Sequence, residues 1–211
     1  MKDYKLTATQ DWHFYFREIF KHQRIESILE FGLGIGTKYL LDNCQNLTSV
    51  ELSKGQYNKS WYDQTLEDLK EYKNWKCDYI DLPDEIKEAD EKAQSKLFPL
   101  EDVSYLKSLK EITDPYLTDK KYNIIFVDAG IHTRGDLVNL SFGKSDIIAA
   151  HDTSRDPERV IQDIYGYNIV RVPENYVEIY YGCTYMGTTL WIEETKKDLI
   201  EKMKNFKVAR G

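Results

Sequence analysis

The run Ile28-Leu29-Glu30-Phe31-Gly32-Leu33-Gly34-Ile35-Gly36-Thr37, followed one βαβ step later by Ser49-Val50-Glu51-Leu52, restricts what this chain can fold into more than any other feature. An apolar strand over 27–31 runs into three glycines at alternate positions. That pattern lets the backbone turn sharply and lets a ligand approach with no Cβ in the way. A helix beginning near Thr37 then offers unpaired N–H groups to an anionic group. A second strand over 47–50 ends in Glu51, whose carboxylate suits both hydroxyls of a ribose. Together these parts read as a nucleoside-cofactor site. The nicotinamide and flavin fingerprint G-x-G-x-x-G fits it imperfectly, because the third glycine arrives one residue early and Thr37 holds the final place.

Strand and helix signals alternate along the rest of the chain, which makes it an α/β protein. Trp12, Tyr15, Phe16 and Phe20 recur at three- and four-residue spacing and predict an amphipathic N-terminal helix over 8–22. Further helices are expected over 37–43 and over 54–70, the latter with Trp61 and Leu66 toward the sheet. Strands are expected over 75–80, 122–127 and 146–150, the last two as short apolar runs covered on both faces. In the tail, 168–172 with 177–181 and 185–192 read as strands, and 193–206 as a charged helix. The stretch 82–121 is longer than a crossover requires and reads as a helical insertion. Its first half, 84–96, is almost wholly charged and predicts a solvated helix face. Its second half, with Phe98, Tyr105, Leu106, Leu109 and Tyr116, is expected either to cover the mouth of the site or to form a homodimer contact.

A length of 211 residues suits one domain, 1–211, with a sizeable core. The formal charge of −7 and pI of about 5.2 argue against a surface that tracks phosphates, so no nucleic acid is expected as partner. The N-terminus lacks the apolar core of a signal peptide, and no apolar run is long enough to cross a bilayer. A soluble, cytoplasmic protein acting on a small molecule is the expectation. Cys44, Cys77 and Cys183 are odd in number and far apart, so they read as buried thiols rather than disulfides or zinc ligands.

Ligands of open α/β sheets bind outside the carboxyl ends of the strands. There the fourth strand leads into Asp128-Ala129-Gly130-Ile131-His132-Thr133-Arg134, and the fifth ends in His151-Asp152-Thr153-Ser154. Two of the chain's four histidines thus fall on one rim with two aspartates, in a position for acid/base or metal work. The competing reading of His151 and Asp152 is a structural cap on the following helix.

Glu30-x-Gly32-x-Gly34-x-Gly36 resembles the first motif of the class I S-adenosylmethionine (SAM) dependent methyltransferases. The Val-Asp-small-Gly-x-His and His-Asp-Thr strand ends resemble a subgroup that includes sugar- and antibiotic-directed O-methyltransferases, a likeness covering about 25–192. It implies a Rossmann-like sandwich: a mostly parallel seven-stranded sheet with an antiparallel C-terminal strand and helices on both faces. It implies that Glu30, Gly32, Gly34, Gly36, Thr37, Glu51 and Asp128 hold SAM, with Asp81 the adenine-side acid and Asp78 its alternative. Asp128 and Asp152 stand where metal-dependent relatives place carboxylates for Mg²⁺ or another divalent cation, although Thr153 replaces the Asn that catechol-type enzymes carry next. The activity implied is methyl transfer from SAM to a hydroxyl of a small acceptor, with a sugar in a glycan or glycosylated metabolite preferred. A hydroxyl needs a base as the new bond forms; His132 is the first choice and His151 the second, with Asp128 part of the catalytic set and Arg134 either orienting substrate or pairing with Asp128 or Asp136. The Asn/Asp-Pro-Pro-aromatic run of base-amino methylating enzymes and the Pro-Cys of cytosine C5 enzymes are both missing after the fourth strand. Two other readings stand beside this one. An NAD(P)-dependent Rossmann oxidoreductase would use Glu51 on the ribose but lacks a Tyr-x-x-x-Lys pair. A non-catalytic SAM-fold partner subunit would be expected to have lost the glycine turn or the rim acids.

Overall fold

The computed structural model describes residues 11–54, 56–94, 103–119, 121–156, 165–182 and 186–207. Seven strands, β1 (Ser27–Phe31), β2 (Asn46–Ser53), β3 (Trp75–Asp81), β4 (Tyr122–Val127), β5 (Ser145–His151), β6 (Tyr176–Tyr181) and β7 (Thr188–Glu193), form one sheet in the order β3-β2-β1-β4-β5-β7-β6. The first five pair in parallel, and β7 runs antiparallel to both β5 and β6. The chain winds outward from β1 in one direction through β2 and β3 and in the other through β4 and β5. The carboxyl ends of β1 and β4 therefore flank the switch point where ligands of such sheets bind.

Alternation along each central strand builds a core on either face. Leu29 and Phe31 of β1 with Ile125 and Val127 of β4 face α4 (Asp84–Gln94), α5 (Val103–Leu117) and α6 (Arg134–Ser141). Ile28, Ile124 and Phe126 face α1 (Trp12–His22), α2 (Thr37–Leu41) and α7 (Lys197–Asn205). Helix α1 docks through Trp12, Tyr15, Phe16 and Ile19, the i, i+3, i+4, i+7 stripe of an amphipathic helix. No helix among the described residues is long and apolar enough to cross a membrane.

Several expectations change. Strand β2 continues to Ser53, so Glu51 lies inside it rather than at its end. Helix α2 stops at Leu41. Helix α3 (Gln56–Asp68) turns Tyr62 and Thr65 inward and leaves Trp61 exposed, because the strip that faces the sheet is shifted by one residue. The segment 168–172 is no strand: Gly166 adopts φ +66°, a 3-10 turn follows over Tyr167–Ile169, and Asn139 of α6 satisfies its backbone by bonding Ile169 O and Arg171 N. The insertion folds as α4 and α5 but packs on the sheet. Tyr105, Leu109 and Tyr116 are buried in the core, so they cover no mouth, and Phe98 lies outside the described residues. In α4, Asp84 is exposed as expected for a solvated face, whereas Ile86 and Asp90 are fully buried. Burial pushes the thiols of Cys44 and Cys77 up to about 12, which suits structural cysteines; Cys183 lies outside the described residues.

Candidate active site

The three glycines of the turn do different jobs. Gly32 has φ +98°, and a Cβ there would stand 2.4 Å from Asp128 O, so the end of β1 packs directly on the chain leaving β4. A Cβ on Gly36 would stand 2.2 Å from the Trp12 ring, which is buried and edge-on to Phe16. Both glycines thus serve packing within the protein. At Gly34 the nearest atom to a Cβ is Gly36 N at 3.9 Å, so of the three only this glycine is not required by packing within the protein.

A buried hydrogen-bond chain holds the turn in place. Trp75 Nε1 donates to Ser49 Oγ (2.9 Å), Ser49 Oγ donates to Glu30 (2.6 Å), Thr37 Oγ1 donates to Glu30 (3.0 Å), and Gly34 N donates to Thr37 Oγ1 (3.0 Å). Glu30 is thereby committed beneath the turn instead of facing open space. Burial pushes its carboxyl up to about 8, against the Ser49 and Thr37 hydrogen bonds, so it is largely neutral at pH 7. Glu51 accepts from Leu33 N (2.8 Å) and pins the turn from the β2 side. Trp61, which sequence reasoning turned toward the sheet, donates Nε1 to Leu33 O at 3.0 Å and roofs the same segment. A hollow of about 90 Å³ lined by Gly34, Ile35, Lys38 and Trp61 flanks the turn. It is far below the ~300 Å³ of a ligand cleft, so it would hold no more than part of a nucleoside. Asp81 ends the edge strand β3, exposed and 3.0 Å from Lys87; Asp78 lies deeper and accepts from the Tyr116 hydroxyl.

On the rim, β4, β5 and the start of α6 bring four of the predicted residues into one cluster. Arg134 Nη1 lies 3.0 Å from Asp128 Oδ1 and 2.9 Å from Asp152 Oδ2, with its guanidinium 3.8 Å above the Tyr165 ring. His151 turns Nδ1 toward Asp128 (3.4 Å) and Asp152 (3.5 Å), and Nε2 toward Asp11 (3.2 Å) without the alignment of a good hydrogen bond. Burial alone would lower the His151 imidazole, but Asp128, Asp11 and Asp152 outweigh it and hold the ring up at about 10, charged at neutral pH. Burial likewise opposes ionisation of Asp128, yet His151 and Arg134 keep that carboxyl below the usual range. Asp152 stands at φ +60°, a left-handed conformation that Asp tolerates better than most side chains, which aims its carboxylate back at Arg134.

His132 is separate from this cluster. It is half-buried and stacks on Tyr165, with ring centroids 5.6 Å apart. Its position is set by a residue that the sequence hid: Asp90 of α4, fully buried, accepts from the backbone N–H groups of His132 and Thr133 and pairs with Lys54 at 2.5 Å. A second hidden residue is Asp11, which precedes α1 yet makes no capping bond; its carboxylate meets His151 and the Thr188 hydroxyl instead. No sequence signal marked either, because both sit where charged residues ordinarily face water.

No protein-family model matches the chain, and no curated protein matches its sequence. Solved structures do. An O-methyltransferase from Bacillus cereus bound to S-adenosylhomocysteine (SAH) aligns with TM-score 0.54 and 15% identity over 90% of this chain and 84% of its own. A protein assigned as an O-methyltransferase from Klebsiella pneumoniae aligns with TM-score 0.56 and 14% identity over 92% and 83%. An rRNA methylase from Streptococcus thermophilus aligns with TM-score 0.50 and 12% identity over 89% and 99%. At such identities the likeness establishes the fold alone, a Rossmann-like sandwich of the kind these proteins share, and their variety shows that the fold by itself leaves the acceptor open.

Proposed function

We propose that the protein transfers the methyl group of SAM to a hydroxyl of a small acceptor. The observation that carries this reading is the braced turn at the switch point: no side chain or strand packs on Gly34 closely enough to require a glycine there, while Glu30, Thr37 and Glu51 fix the backbone around it. SAM would lie over Gly34, with the ribose hydroxyls at Glu51 and the adenine toward Asp81. The acceptor oxygen attacks the methyl carbon in line, the carbon–sulfur bond breaks with its electron pair going to sulfur, and the hydroxyl proton passes to a base. His132 is that base. His151 is held as a cation among carboxylates and has no lone pair to offer at neutral pH. Asp128 and Asp152 enter this reading through Arg134 and His151, the cations they already hold.

What supports a sugar as acceptor is a polar cavity of about 250 Å³ beside the end of β5, lined by Thr153, Arg155, Tyr167, Glu178, Thr189 and Trp191. Hydroxyls, a carboxylate and aromatic faces are the groups a saccharide ring meets. Calorimetric titration with SAH and with NAD separates this reading from a nicotinamide oxidoreductase: SAH binds and NAD does not. Incubation with labelled SAM and a panel of saccharides, nucleosides, phenols and RNA then reads the acceptor. Label on a saccharide is expected. Label confined to phenols overturns the sugar assignment, and label on RNA overturns the small acceptor.

A further inference from the structure

We propose that Arg134 is the resident cation of the rim, standing where a divalent metal would otherwise sit, and that this protein works without one. The donor atoms of Asp128, His151 and Asp152 lie within 4.8 Å of one another, close enough to grip an ion. The arrangement does not fit one. The point between the two strand-end carboxylates is taken by Arg134 Nη1, at 3.0 Å from Asp128 and 2.9 Å from Asp152. The third donor, His151 Nδ1, faces the same two carboxylates at 3.4 and 3.5 Å while Nε2 turns to Asp11, so it is Arg134 that keeps an ion from the point the three share. Arg134 is also anchored from behind: it is buried, its Nε donates to Ile131 O, and the Tyr165 ring lies under its guanidinium. Displacing it for an ion would strand a buried charge. Two of the three carboxylates close on the guanidinium, and all three face the imidazole. Arg134 thus acts as a positioning residue, joining the ends of β4 and β5 as a bridging metal would.

This inference rests on the methyl-transfer reading only for the reaction it serves, and its test needs no turnover. Mn²⁺ and Mg²⁺ are titrated calorimetrically into wild type, Asp152→Asn, Arg134→Ala, Arg134→Lys and Arg134→Ala/Asp152→Asn, with the Tm of each read in EDTA and in Mn²⁺, and SAH affinity measured on the same preparations. Wild type and Arg134→Lys are expected to bind neither ion. Arg134→Ala is expected to gain Mn²⁺ binding with a Kd of roughly 10⁻⁴–10⁻³ M, the weak end of protein cation sites, and the added Asp152→Asn to abolish it. Wild-type binding that Asp152→Asn removes overturns the proposal, and so does a folded Arg134→Ala that binds no ion. Should Arg134→Ala fail to fold, the wild-type and Arg134→Lys titrations decide alone. Loss of SAH binding in wild type counts against the proposed function and leaves the cation result standing.

Discussion

At the scale of single residues, the glycine turn separates packing from binding. Alanine at Gly36 pushes a methyl into the Trp12 ring, which Phe16 and Phe126 hold from two sides, and overpacking of this kind costs roughly 1–3 kcal/mol. Gly32→Ala adds backbone strain at φ +98° to a contact with Asp128 O, so both variants are expected to lower Tm in thermal melts. Unchanged melting of either would mean the turn is looser than described. Glu30 gives a pH signature. Its folded carboxyl sits at about 8 against an ordinary 4.5, so the folded state binds the proton more tightly. Its contribution to stability is fully present below about 4.5 and is lost as pH rises through 8. Wild type should therefore lose Tm relative to Glu30→Gln between those limits, and a constant difference across the range would contradict the burial argument. The alternate glycines and the acid of β2 were legible in the sequence because spacing alone reveals them. That two of the three glycines serve protein contacts was not, since the partners, Trp12 and the chain after β4, lie far away in sequence.

At the scale of elements, α4 acts as a clamp. Asp90 reaches from it to the loop after β4, and Lys54, just past β2, reaches Asp90 from the carboxyl end of that strand. Asp90→Ala leaves two backbone N–H groups without their acceptor, a loss of about 2–3 kcal/mol for bonds to a charged group. Faster amide exchange at His132 and Thr133 is the expected result, and protection equal to wild type would show that the loop holds itself. The strands β1 and β4 could be read to the residue from their apolar runs, as could the helical character of the insertion, though not its division into α4 and α5. The buried face of α4 could not: two apolar positions, Ile86 and Ala89, and one buried acid disappear among charges in a period-based reading. The segment 168–172 misled for the converse reason, because its apolar residues looked like a strand while Asn139 supplies the hydrogen bonds a neighbouring strand would have given.

At the scale of the molecule, the order β3-β2-β1-β4-β5-β7-β6 places the glycine turn and the charged rim on adjacent strand ends. A cofactor over one and an acceptor over the other would meet between them. The division of labour this implies is testable: His132→Ala should lower kcat by roughly 10²–10⁴ while leaving SAH affinity intact, because a base acts only on the reacting proton. Equal losses in both would remove His132 from that role. The class of sheet and the rim residues were readable from the chain, but the sequence offered Arg134 only Asp128 or Asp136 as partner, and its pairing with Asp152 emerges only when β5 is set beside β4. The central claim, that SAM lies over Gly34, is tested most directly by titrating SAH into wild type and Gly34→Leu. A Cβ at this position meets nothing closer than 3.9 Å, so the variant should fold and yet show no SAH binding, with Gly34→Ala as the control that keeps wild-type Tm. A folded Gly34→Leu that binds SAH as tightly as wild type would contradict it.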